Sequence, residues 1–120
     1  MDEVLHDCLY PVMLGSNVQC HALVRQMQKQ YGIGSTVLTG KHAITLRFLP
    51  SVKLVGAAPT LSDELLLAIL RDVEIECGAR IPLLVLCDEA YAGFLERNRG
   101  TLEERFILRC AEELLEKHYR

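Results

Sequence analysis

Two short polar segments of this 120-residue chain have the residue types and placement to bind a ligand. Gly15-Ser16-Asn17 follows a short apolar run, and Asp88-Glu89 follows the most hydrophobic run of the chain. A glycine after a strand permits close backbone approach. A helix that begins there offers unpaired amides and a positive dipole end to a phosphate or carboxylate. The two carboxylates could instead bind an amine or a ligand hydroxyl.

Each segment also has a purely structural interpretation. Gly15-Ser16-Asn17 could be an ordinary strand-to-helix turn in which Ser16 or Asn17 caps the helix. Asp88 and Glu89 are favourable at a helix start for electrostatic reasons alone. The Gly-x-Gly-x-x-Gly spacing of dinucleotide-binding folds is absent, and so is the phosphate loop that ends in Gly-Lys-Ser/Thr.

Other polar residues are weaker candidates. Lys41, His42 and Arg47 follow the second predicted strand, where they could meet an acidic substrate, although a solvated loop is the favoured interpretation. Cys87 has no histidine near it in the sequence, so we interpret it as a buried strand residue and not as a nucleophile. The four histidines form no metal-ligand pattern, and no metal site is predicted.

Composition limits the classes of partner. The five cysteines are odd in number and lack Cys-x-x-Cys spacing, which predicts reduced thiols in a cytoplasmic protein. The net charge of −3 does not favour a nucleic-acid partner. The longest uncharged stretch is interrupted by Pro11, Gly15 and Asn17, so we predict no membrane partner.

The elements that must position these residues alternate along the chain. Short apolar runs predict strands, and apolar residues at helical spacing predict helices. The predicted strands cover residues 10–14, 35–39, 52–56 and 81–87. Three predicted helices cover residues 18–30, 89–98 and 111–120. A fourth is capped by Thr60 or Ser62 and ended by Gly78. The capping-box pattern Thr101-Leu-Glu-Glu104 predicts a further short turn.

This order predicts an α/β fold, a Rossmann-like three-layer domain with a small, mainly parallel, four-stranded sheet. If the strand order is 3-2-1-4, the connections leave strand 1 in opposite directions. A crevice then opens at the carboxyl ends of strands 1 and 4. Both polar segments would border that crevice, so the topology predicts that Gly15-Ser16-Asn17 and Asp88-Glu89 lie together.

Parts of the chain resemble ATP-grasp carboxylate–amine ligases, most closely the D-aspartate ligase-like and carbamoyl-phosphate-synthase-like members. The resemblance extends over about residues 10–119. It rests on two groups of segments: Pro11-Val-Met-Leu-Gly-Ser-Asn17, Ala22-Leu-Val-Arg25 and Tyr31-Gly-Ile33; then Leu84-Val-Leu-Cys-Asp-Glu-Ala-Tyr91, Asn98 and Leu102-Glu-Glu-Arg-Phe106.

The resemblance implies that residues 1–120 are one pre-ATP-grasp domain, whose cleft faces the carboxylate or amine substrate at Gly15, Ser16, Asn17 and Asp88. It places the ATP-grasp portion, with its lysines, glycine-rich loop and magnesium carboxylates, after residue 120. MgATP is implied for the parent enzyme, with no cofactor in this chain, which would be inactive alone. Family members often carry a second glycine or an acidic residue where this chain has Ser16 and Asn17. The resemblance therefore does not identify which acid and which amine are joined.

Two other interpretations remain at this point. The chain could be a stand-alone Rossmann-like module that binds a small ligand or a protein without catalysis, because 120 residues can fold alone. A fragment of a nucleotide-dependent oxidoreductase is disfavoured by the absent glycine fingerprint. A domain separated from its partner would expose an apolar surface, through which it could form a homodimer.

Overall fold

Five parallel strands form one sheet in the computed structural model, which describes residues 8–40, 49 and 51–115. The strand order across the sheet is β3-β2-β1-β4-β5. The strands are β1 (Leu9–Leu14), β2 (Ser35–Thr39), β3 (Val52–Gly56), β4 (Ile81–Leu86) and β5 (Ile107–Cys110). The predicted α/β class and the order 3-2-1-4 are confirmed, with one further strand added beside β4.

Helices connect the strands and cover both faces of the sheet. Two long helices carry local start and stop signals: Asn17 caps the first and Gly32 ends it in a left-handed conformation, while Ser62 caps the second and Gly78 ends it. The helices are α1 (Val18–Tyr31), α2 (Asp63–Cys77), a 3₁₀ turn (Glu89–Tyr91), α3 (Ala92–Arg97), α4 (Arg99–Glu103) and α5 (Ala111–Leu115).

The hydrophobic core has two halves, one on each face of the sheet. Alternation along β1 sends Val12 and Leu14 to the face covered by α2, while Met13 points to the face covered by α1. Leu70 of α2 is buried in the first half, and Leu23 of α1 is buried in the second. Burial of both faces explains why β1 and β4 are nearly continuous apolar runs.

Two sequence predictions were wrong in detail. The sheet has five strands and not four, because the segment predicted to lead into the last helix contains β5. The capping-box pattern at Thr101 does not start a turn, since α4 already begins at Arg99. Pro11 is the third residue of a central strand, which is tolerated because pairing with β2 begins only at Val12.

Two further predictions concern residues only partly covered by the structure. The last predicted helix is observed as α5 up to Leu115, and residues 116–120 lie outside the described part of the chain. Lys41, His42 and Arg47 also lie outside it. Within the described ranges, no helix combines the length and the apolar character needed to cross a membrane.

Candidate functional site

The two polar segments meet at the carboxyl edge of the sheet. Gly15-Ser16-Asn17 connects β1 to α1, and Asp88-Glu89 follows β4, the neighbouring strand. The Leu14 carbonyl accepts hydrogen bonds from the amides of Cys87 and Asp88, at 3.1 and 3.0 Å. This pairing continues the ladder beyond the last strand residues. It confirms that the topology brings the two predicted segments together.

Gly15 is needed for this approach. Its φ of +105° lies in the region that side chains rarely adopt. A Cβ atom built on Gly15 would lie 2.3 Å from the Asp88 Cβ atom and 3.0 Å from the Asp88 backbone nitrogen. The Gly15 amide donates to the Leu38 carbonyl of β2 at 2.8 Å. The glycine therefore lets Asp88 pack over the end of β1. The close backbone approach that Gly15 permits is to Asp88 of the same chain.

Asn17 uses both ends of its side chain amide. Its Oδ1 atom accepts from the Cys20 amide at 3.1 Å and so caps α1, and its Nδ2 atom donates to the Cys87 carbonyl at 2.8 Å. The amide thus ties the start of α1 to the end of β4. An aspartate could cap the helix equally well but could not donate the second bond. This gives a structural reason for asparagine at position 17.

Polar contacts also join the ends of β2 and β3 to the crevice. The hydroxyls of Ser16 and Thr39 are hydrogen-bonded at 2.8 Å, and the Ala57 amide donates to the Thr39 carbonyl at 3.0 Å. A Cβ atom on Gly40 would lie 2.7 Å from Ala58, so the β2 and β3 ends are also closely apposed. Sequence reasoning missed Thr39 and Ala57, although Gly40 after the second strand was the available signal.

Asp88 is half-buried and begins the 3₁₀ turn. Its Oδ1 atom accepts from the Ala90 amide at 3.0 Å, so the proposed capping role is present. Glu89 is exposed, and its carboxylate makes no hydrogen bond or ion pair with any residue that the structure describes. Tyr91 lies below them, fully buried, and its hydroxyl donates to the Ala57 carbonyl at 2.6 Å. Burial, with a smaller effect of the Asp88 charge, raises the pKa of Tyr91 to about 12.

A pair of thiols lies beneath the turn. Cys20 in the first turn of α1 is fully buried, and Cys87 is 5% exposed. A hydrogen bond with the Cys20 thiol, followed by burial, raises the pKa of Cys87 far above its usual range. A thiol held in its protonated form is a poor nucleophile. The predicted burial of Cys87 is confirmed, but the residue lies just after β4 and not within the strand, which was predicted to extend to residue 87.

The crevice combines donors with an acidic group. The Val18 and Gln19 amides lack intrahelical acceptors because these residues open α1. They could donate to a carboxylate or phosphate, while Asp88 could accept from an ammonium group. The described residues contain no cluster of three or more histidine, cysteine or acidic side chains suited to a metal ion. The amides at the start of α1 and the Asp88 carboxylate could together recognise a small polar molecule.

Comparison with known proteins gives no relative for this chain. No protein-family model matches it, and no curated protein or solved structure matches it either.

Proposed function

We propose that this chain is the substrate-side, pre-ATP-grasp domain of an ATP-dependent carboxylate–amine ligase. The observation that carries the proposal is the packing of the Gly15 turn against Asp88. This contact lies between β1 and β4, where the strand order changes direction: β2 and β3 follow on one side of β1, and β4 and β5 on the other. Open α/β sheets bind ligands at such points, outside the carboxyl ends of their strands. The resemblance of both segments to the ligase family adds the reaction class.

In this proposal the crevice holds the carboxylate or amine substrate. The amides that open α1 orient an anionic group, and Asp88 accepts a hydrogen bond from an ammonium or hydroxyl group. The ATP-grasp portion of the parent enzyme supplies MgATP. The substrate carboxylate takes the terminal phosphoryl group of ATP and releases ADP. The ammonium group loses a proton to solvent, and the resulting amine attacks the acyl carbon, displaces phosphate and forms the amide bond.

The mass and activity of the native protein test the proposal. We expect a native product several-fold heavier than 13.5 kDa that releases ADP only when an acid and an amine are both present. We also expect residues 1–120 alone not to bind MgATP in a calorimetric titration at micromolar concentration. Tight, stoichiometric binding of MgATP to these residues would contradict the proposal that the ATP-grasp portion, and not this domain, binds MgATP.

The role of Asp88 is tested in the native enzyme by Asp88→Asn, which keeps the side chain shape and its acceptor oxygen for the Ala90 amide. Loss of an ionic contact to the amine should raise KM for that substrate about tenfold or more, and leave KM for ATP unchanged. Glu96→Gln is the matched control, because Glu96 is an exposed carboxylate on α3. Unchanged kinetics for both substrates would reduce Asp88 to a helix cap.

The second candidate is a stand-alone Rossmann-like module that binds a small ligand or a partner protein. Its supporting observation is that both halves of the described core are already covered by helices of this chain. A native product of 13.5 kDa without ATP turnover would favour this function over the ligase. The same crevice would then bind its ligand without chemistry.

A further inference from the structure

A cavity lies at the opposite, amino-terminal edge of the sheet. It has a volume of about 440 Å³ and is bordered by the first residues of β1, β2 and β3 and by Arg80, which precedes β4. Ligand pockets commonly have volumes of about 300–1,000 Å³. Nothing in the ligase proposal uses this edge. The cavity is therefore a separate feature of the molecule.

Arg80 is held in place at the cavity. Its guanidinium carbon lies 4.5 Å from the centre of the Tyr10 ring, and its Nε atom donates to the Cys77 carbonyl at 3.3 Å. The Tyr10 hydroxyl in turn accepts from Thr36 Oγ1 at 3.2 Å, which fixes the ring. The two terminal nitrogens of Arg80 remain as donors without an acceptor among the residues that the structure describes. A planar, pre-positioned guanidinium suits a carboxylate or phosphate.

The charges around the cavity favour a ligand with one negative charge. Lys53 also borders the cavity, but it forms an ion pair with Glu76 of α2. That pair is neutral as a unit. Among the described residues that line the cavity, Arg80 is the cation that makes no ion pair with a carboxylate, so its positive charge is uncompensated within this set. A dianion such as sulfate would be only half neutralised there.

The cavity also has an apolar side. Leu9, Ile33 and Val52 line it together with the polar residues. Ser35, another lining residue, is 5% exposed, and its hydroxyl has no hydrogen-bond partner in the described structure. A buried, unpaired hydroxyl is uncommon in folded proteins and calls for a cause such as a bound water or ligand.

We infer that this cavity is a second ligand site, which takes a small organic acid with a single carboxylate and an apolar body. Arg80 binds the carboxylate through its terminal nitrogens, and the Tyr10 hydroxyl has a proton to donate. The apolar body packs on Leu9, Ile33 and Val52. This inference does not depend on the ligase proposal, because none of these residues belongs to the carboxyl-edge crevice.

Titration of the 120-residue chain with sodium benzoate tests the inference by ¹H–¹⁵N NMR. We expect saturable shifts of the Tyr10, Thr36 and Arg80 amides with a Kd of about 1 mM or lower. Sodium sulfate, whose anion carries two negative charges, should give no saturable shift of these amides. The Arg80→Gln variant should raise the Kd at least tenfold, since a charge-assisted bond contributes about 1.5–3 kcal/mol.

Two further variants make the test decisive. Arg80→Lys keeps the charge but loses the planar fork, so it should also weaken binding while the fold is retained. Arg109→Gln removes an exposed cation of β5 and should leave the Kd unchanged. Benzoate binding that survives both Arg80 variants, saturation by sulfate at these amides, or shifts confined to residues 15–17 and 88–89 would each overturn the inference.

Discussion

At the scale of single residues, Gly15 sets the geometry of the carboxyl edge. Gly15→Ala would place a methyl group 2.3 Å from the Asp88 Cβ atom and strain a backbone with φ of +105°. We expect a loss of about 2–4 kcal/mol in the free energy of unfolding, measured by urea denaturation. Gly100→Ala is the control, because Gly100 lies in α4 with open space around it and should be neutral or slightly stabilised. Equal stability of the two variants would contradict the close packing.

The Tyr91 hydroxyl is the other residue-scale support of this edge. Tyr91→Phe leaves the Ala57 carbonyl without its buried donor, which should cost about 1–2 kcal/mol of unfolding free energy. Tyr31→Phe removes a hydroxyl that makes no hydrogen bond within the described residues, and it serves as the matched control. A smaller loss for Tyr91→Phe than for Tyr31→Phe would be evidence against the bond.

At the scale of elements, Asp63 links the start of α2 to the end of α3. Its carboxylate accepts two bonds of 2.9 Å from Arg97 and one of 3.0 Å from Asn98. The hydrogen bond with Arg97, followed by that with Asn98, lowers the pKa of Asp63 to about 2. The carboxylate is therefore easier to ionise in the folded chain than in the unfolded chain.

This shift predicts a pH dependence with a definite sign. The folded pKa of Asp63 lies below its ordinary value of 3.8, so its contribution to stability is present above about pH 4 and lost as the pH falls toward 2. Urea midpoints measured between pH 5 and 2 should fall less steeply for Asp63→Asn than for the wild-type chain. Glu64→Gln, an exposed neighbour in the same turn, should keep the wild-type slope. Parallel curves for wild type and Asp63→Asn would refute the linkage.

Helices and strands whose sequence signals lie within the element or next to it could be predicted, whereas those formed through distant contacts could not. β2 was predicted with the bounds observed, and the caps Asn17 and Ser62 act through their own backbone neighbours. β5 was missed because its four residues are mostly exposed and show neither alternation nor a continuous apolar run. Its strand character comes from pairing with β4, a tertiary contact that the segment does not encode by itself.

The candidate site shows the same limit. Alternating strands and helices predicted that Gly15 and Asp88 lie together, because parallel strands end at a common edge. The inward bond from Asn17 to the Cys87 carbonyl spans 70 positions in the chain and could not be predicted from either segment. The amino-edge cavity was not predicted at all, since its residues come from four separate strand starts with no shared motif.

At the scale of the whole molecule, stability should decrease from the centre of the sheet to its edge. β1 is paired on both sides and buried on both faces, whereas β5 is largely exposed and, within the described residues, is paired only with β4. Native-state hydrogen exchange should therefore be slowest at the amides of Val12, Met13 and Leu84, and markedly faster at those of β5. Equal protection across the sheet would indicate that another chain covers the β5 edge, as in the predicted homodimer.

The buried thiols beneath the Gly15 turn can report how often the carboxyl edge opens. Cys20 and Cys87 are shielded from any reagent as long as α1 and β4 stay joined, whereas Cys110 on β5 is exposed. When labelling is followed at each of these cysteines separately, a thiol-reactive dye should modify Cys110 before Cys20 and Cys87, which become accessible only when the carboxyl edge opens. The labelling rate of Cys20 and Cys87, compared with that of Cys110, therefore measures local opening of the carboxyl edge. The measurement uses the chain's own cysteines and needs no substitution.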